Sequence, residues 1–162
     1  MILTLNAIFI GITATLFMDL VALGQLTVLG IPSLNYTLMG RWICYIPKGR
    51  WIHRPIGQSA PIPYEAVVGW SAHYLFGIIF SFSLLFVAGP KWSAQPDPML
   101  PIAYGAVTVL APFLLLQPGM GAGVAARKTP RPWIAQFRSL VAHLSFGVGL
   151  WLGAWFWTKM GW

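Results

Sequence analysis

Long apolar runs separated by two polar, basic segments set the pattern of this chain. No Asp, Glu, Lys or Arg stands from Ala66 to Pro90, from Pro98 to Ala126, or from Ser139 to Thr158. The first forty residues carry one ionised side chain, Asp19. About 20 mainly apolar residues suffice to cross a bilayer as a helix. The pattern therefore predicts an all-α, polytopic membrane protein with a single membrane domain. Its four transmembrane helices fall at about 3–29, 66–88, 100–117 and 137–158. Segments of about 30–65 and 118–136 join them in pairs. The first run has no basic region ahead of it and no clear small-x-small cleavage site. It is read as a helix of the mature protein rather than a signal peptide.

Composition agrees with the pattern. Hydrophobic residues make up 57% of the chain and charged residues 8%, against about 25% charged in a soluble domain. The net charge of +7 invites a nucleic-acid reading, but the positions of the charges answer it. Arg41, Lys48, Arg50 and Arg54 lie in the first joining segment, and Arg127, Lys128, Arg131 and Arg138 in or beside the second. The opposite side has Lys91 and Lys159. Basic residues mark the cytoplasmic side. Both long segments are therefore expected in the cytoplasm, both termini outside, and no nucleic-acid partner is implied. The bilayer itself, with anionic headgroups on its cytoplasmic side, is the expected partner. Tryptophans reinforce this orientation: Trp42, Trp51, Trp70 and Trp133 near one boundary, Trp92, Trp155, Trp157 and Trp162 near the other. The single cysteine, Cys44, excludes an internal disulfide.

The first cytoplasmic segment suggests a short surface helix over Leu34–Ile46, with Tyr36, Met39, Ile43 and Ile46 turned to lipid or the bundle. After Pro47 it is Pro-rich and expected to be extended. The second reads QPGMGAGVAARKTPRPW. Gly119, Gly121 and Gly123 precede Arg127, Lys128 and Arg131, and glycine-rich backbone followed by cations can hold an anion or a headgroup. The same residues also serve as a plain turn ending the third helix at Pro118. The spacing is not that of a Walker loop or a dinucleotide fingerprint.

Ala-His-x-x-Phe-Gly occurs twice, at Ala72–Gly77 and at Ala142–Gly147. Both copies sit near the cytoplasmic end of an outward-running helix. That suggests a doubled helix hairpin, two parallel repeats related along the membrane normal. Gly69, His73, Gly77 and Ser81 form one stripe; Ser139, His143 and Gly147 form another. Small residues on a stripe let helices approach closely, so each histidine is expected to face a helix, roughly 10 Å inside its end at 1.5 Å per residue.

Asp19 lies about 15 Å deep by the same rise. A carboxylate there costs at least about 2.5 kcal/mol at the membrane centre. Gln117, Arg138 and Glu65 fall in the same leaflet. Three readings compete. In one, Asp19 pairs with Arg138 or a histidine and merely holds the bundle. In another, Asp19, His73 and His143, with Gln117 and Arg138, form a polar site open to the cytoplasm for a proton, ion or small solute; four helices being few for a carrier, this asks for a homo-oligomer. In the third, Asp19, His73 and His143 bind a divalent metal, or the two histidines clamp a haem. No catalytic motif is present: the serines lie outside any G-x-S-x-G context, and binding or permeation is expected in preference to catalysis.

The stretches GITATLFMDL, GIPSLNY, GRW, GWSAHYLFG, LAPFLLLQPGMGAG and TPRPW resemble those of a bacterial family of small integral membrane proteins, domain of unknown function 2938. The resemblance covers nearly the whole chain. It implies a bacterial inner-membrane location and four helices. It implies no activity and carries over no site residues.

Overall fold

The fold is described from a computed structural model, which covers residues 2–161. Trp162, one of the belt tryptophans, lies outside the described residues. Those residues are helical or irregular, with no strand. The helices are α1 (Ile2–Leu29), α2 (Tyr36–Tyr45), α3 (Glu65–Ala94), α4 (Met99–Thr108), the single turn α5 (Gln117–Gly119) and α6 (Pro132–Lys159). Four segments are long and apolar enough to cross a membrane: Leu3–Leu29, Glu65–Ala94, Met99–Gly119 and Pro132–Lys159.

Local chemistry explains the ends of these helices. α1 contains no proline and stops at Gly30, whose φ of 64° is the left-handed conformation that glycine adopts without strain. The Asn35 side chain accepts from Thr37 and Leu38 amides at 3.0 and 3.4 Å and so caps α2. Asp97 does the same for α4, accepting from Met99 and Leu100. Pro132 opens α6, a position where its missing N–H costs nothing. α3 outruns its expected end at residue 88 because it resumes beyond a kink at Gly89–Pro90, where Gly89 takes φ 75°, ψ 177°. Pro112 removes a donor from the third span. The ladder there widens to a π turn over Pro112–Leu116, and the Gln117 amide reaches back to the Pro112 carbonyl.

The chain divides into two compact units rather than standing as one. The first comprises Met1–Ser33, Tyr74–Thr108 and Val141–Trp162. Its core is built from Ala7, Ile10 and Ala14 on α1, Leu84, Leu85 and Trp92 on α3, and Phe146, Leu150 and Ala154 on α6. Small residues bring the helices together. A Cβ on Gly105 of α4 would stand 2.5 Å from the His143 carbonyl oxygen, and one on Gly147 of α6 would stand 2.6 Å from that of Pro101.

The second unit comprises Leu34–His73 and Val109–Leu140. α2 lies directly on the first turns of α3: a Cβ on Gly40 would collide with the Glu65 carbonyl oxygen, and one on Gly69 with that of Tyr36. The face α2 buries is Met39, Gly40, Arg41 and Tyr45. The stretch after Pro47 is not simply extended, as its prolines suggested. It makes 3-10 turns at Ile46–Lys48 and Ile56–Gln58, and its His53 and Ile56 amides donate to the Gly119 and Met120 carbonyls at 3.0 and 2.9 Å.

Candidate functional site

Two ionisable residues read from the sequence stand in the first unit with polar partners from neighbouring helices. Asp19 on α1 accepts a hydrogen bond from the Tyr74 hydroxyl on α3 at 3.1 Å. His143 on α6 meets Thr108 on α4, Nδ1 to Oγ1, at 2.8 Å. The Thr108 hydroxyl donates its one proton to the Gly105 carbonyl at 2.6 Å. Thr15, one turn before Asp19, spends its hydroxyl on the Gly11 carbonyl. Two further buried polar atoms of this unit, Asn6 Oδ1 and Ser81 Oγ, have no partner. Ser83 and Tyr104 share a short hydrogen bond across α3 and α4.

His73 belongs to the second unit. Its ring stacks on Tyr36 at 4.0 Å between centroids, tilted 24°, and meets Trp70 edge-on at 5.9 Å. Among the described residues no group of three or more His, Cys, Asp or Glu side chains could hold a metal ion. The two-imidazole, one-carboxylate set is thus not gathered as a metal centre.

The strongest polar construction of the second unit went unread in the sequence. Arg41 and Glu65 form a two-pronged ion pair, Nε to Oε2 at 2.8 Å and a terminal nitrogen to Oε1 at 2.7 Å. The other terminal nitrogen donates to the Ser59 carbonyl, and Glu65 Oε2 also accepts from the Ile62 amide. Hydrogen bonding to Glu65 raises the Arg41 pKa above its ordinary value, against the opposing effect of burial. His53, the third histidine, is nine-tenths buried beside this pair. Its Nδ1 meets Ser59 Oγ at 2.9 Å, its ring meets Tyr45 edge-on, and its Nε2 is buried without a partner. His-Arg-Pro in a basic loop gave no signal of burial; the nearby Tyr45 and Glu65 were the available clues.

The glycines of the second segment serve packing. Gly119 lies under the Trp42 indole, whose N–H donates to the Trp51 carbonyl at 2.9 Å. Gly121 lies against the His53 carbonyl and Pro55. Amides of this loop are spent inside the chain: Gly121 on Pro118, Ala122 on Gln117, Ala126 on Gly123 and Lys128 on Ala122. Gly123 takes φ 75° and closes on the Lys128 side chain. Gln117 donates to Ser139 Oγ at 3.1 Å, while its buried Oε1 has no partner. Arg127, Lys128, Arg131 and Arg138 are exposed. The Arg138 guanidinium makes no hydrogen bond or ion pair with any described residue.

Four apolar helices with polar side chains between them define an all-helical protein of the multi-pass membrane class. Within that class the chain belongs to the family described as "Protein of unknown function (DUF2938)", whose model matches residues 8–157. Comparison with curated proteins and with solved structures returns no match.

Proposed function

We propose that this is a bacterial inner-membrane protein, with both termini outside, that binds or passes a proton, an ion or a small solute at a polar site on its cytoplasmic side. Asp19 supplies the acid, and His143 and His73 supply titratable imidazoles. In this reading the chain works as a homo-oligomer, and anionic headgroups surround its cytoplasmic segments.

The observation that carries the reading is the Asp19–Tyr74 hydrogen bond inside an apolar span of 27 residues. An ionisable side chain at such a place marks an ion or proton path by default. A phenol hydroxyl that donates to a carboxylate oxygen fixes the orientation of that carboxylate. In this reading the carboxylate so oriented is the group that meets the proton or cation. The contact between His143 Nδ1 and Thr108 Oγ1 supports the same reading, since it gives a second ionisable side chain of this unit a polar partner on a neighbouring helix.

The test is flux in liposomes. Wild type should dissipate an imposed pH or cation gradient, and Asp19→Asn, folded by circular dichroism and monodisperse in detergent, should fall to the level of empty vesicles. Equal flux through wild type and variant would sink the reading. So would a wild type that passes no proton or cation and binds none.

A further inference from the structure

An open groove of about 300 Å3 lies at the start of α6, lined by Thr129, Pro130, Arg131, Ile134, Ala135 and Arg138. We infer that this groove seats the phosphate of an anionic membrane lipid, held between Arg131 and Arg138. The inference is independent of the Asp19 reading and moves anion recognition away from the loop amides, of which those of Gly121, Ala122, Ala126 and Lys128 donate within the chain.

Charge comes first. The chain has three carboxylates. Glu65 is held by Arg41 with both oxygens, and Asp19 and Asp97 belong to the other compact unit. No carboxylate of this unit is left for Arg131 or Arg138. Neither guanidinium has a hydrogen-bond or ion-pair partner among the described residues. Two unpaired guanidiniums on one groove call for an anion, and their planar forks match phosphate oxygens. The Thr129 hydroxyl donates to the Ala126 carbonyl at 2.8 Å, so recognition of charge falls to the two arginines.

The surroundings select a lipid over a free anion. Ile134 and Ala135 give the groove an apolar wall. Trp133 and Phe137, between its lining residues in the sequence, are 69% and 63% exposed. A free phosphate has no use for such a surface, whereas the glycerol and first methylenes of a phospholipid do. The apolar span begins at Pro132, so the groove stands where a span meets headgroups. A tryptophan at that level is the usual interfacial residue.

The experiment measures retention of phosphatidylglycerol and phosphatidylcholine by the full chain in mild detergent, using native mass spectrometry over a lipid titration. Arg131→Gln/Arg138→Gln should weaken phosphatidylglycerol binding about 25-fold, about fivefold for each cation. Arg127→Gln/Lys128→Gln removes equal charge from the same segment but from residues that do not line the groove, and should stay within about threefold of wild type. Both variants change exposed side chains, and matching melting profiles confirm that they fold. Equal losses in the two variants would mean a diffuse basic field and overturn the site. Displacement of the lipid by millimolar inorganic phosphate would mean a free-anion site and overturn the lipid assignment. Equal retention of phosphatidylcholine would do the same.

Discussion

At the scale of residues, Arg41 and Glu65 carry the clearest prediction. Their pair is buried and joins α2 to α3. Removing one partner of such a pair strands the other, at a cost of about 3 kcal/mol or more. Arg41→Met and Glu65→Gln should each lower the melting temperature in detergent markedly. Arg41→Met/Glu65→Leu should lose clearly less than the sum of the single losses. Single variants that melt like wild type would contradict the clamp. The sequence made Asp19 legible because it is the one charge in an apolar run. It made His73 and His143 legible because they recur in a shared motif. Tyr74 and Thr108, the hydroxyls that meet Asp19 and His143, were not legible. Tyrosine and threonine are ordinary in apolar helices, and only the packing of two helices shows which ones meet an ionisable neighbour. Arg41 read as one positive charge among many for a similar reason: its partner lies twenty-four residues away across an irregular segment.

At the scale of elements, α2 depends on close approach. Gly40 and Gly69 bring its backbone onto that of α3, and an added methyl on either strikes a carbonyl oxygen that cannot move aside. Gly69→Ala should therefore cost about 2 kcal/mol, within the usual range for overpacking. Proteolysis of detergent-purified protein should then cut the segment between Tyr45 and Glu65 sooner than in wild type. Unchanged cleavage would show that α2 is held by other contacts. The recurring Ala-His-x-x-Phe-Gly has a partial physical counterpart. Gly77 packs on Thr15 of α1 and Gly147 on Pro101 and Ile102 of α4, so each motif glycine receives the preceding span. The phenylalanines part company, Phe146 in the core and Phe76 at the surface. The two motifs thus share a packing role at their glycine and not at their phenylalanine. The four spans were legible from charge-free runs alone. The fixed course of residues 46–58 was not, because main-chain hydrogen bonds to Gly119 and Met120 leave no periodic trace in side chains.

At the scale of the whole molecule, eight of ten cations fall in or beside the two segments that join spans in pairs. The expected orientation follows from that asymmetry. A reporter that is active only outside the cytoplasm, fused after Trp162, should be active. One inserted at Gly57, in the first joining segment, should be silent. The reverse pattern would invert the topology and, with it, the side from which Asp19 is reached. Charge placement of this kind is legible in any sequence, since it needs only span boundaries. The division into two compact units is not, because α3 and α6 run on without a break in hydropathy where the units change at His73–Tyr74 and Leu140–Val141.

The π turn at Pro112–Leu116 alters how the third span can be described by a helical wheel. It takes five residues where an α turn takes fewer than four, so one residue is surplus to the ladder. Everything after Leu116 is rotated by about 100° from where a single wheel continued from Leu110 and Ala111 would put it. Two half-wheels, joined with a one-residue slip, are the right map of this span.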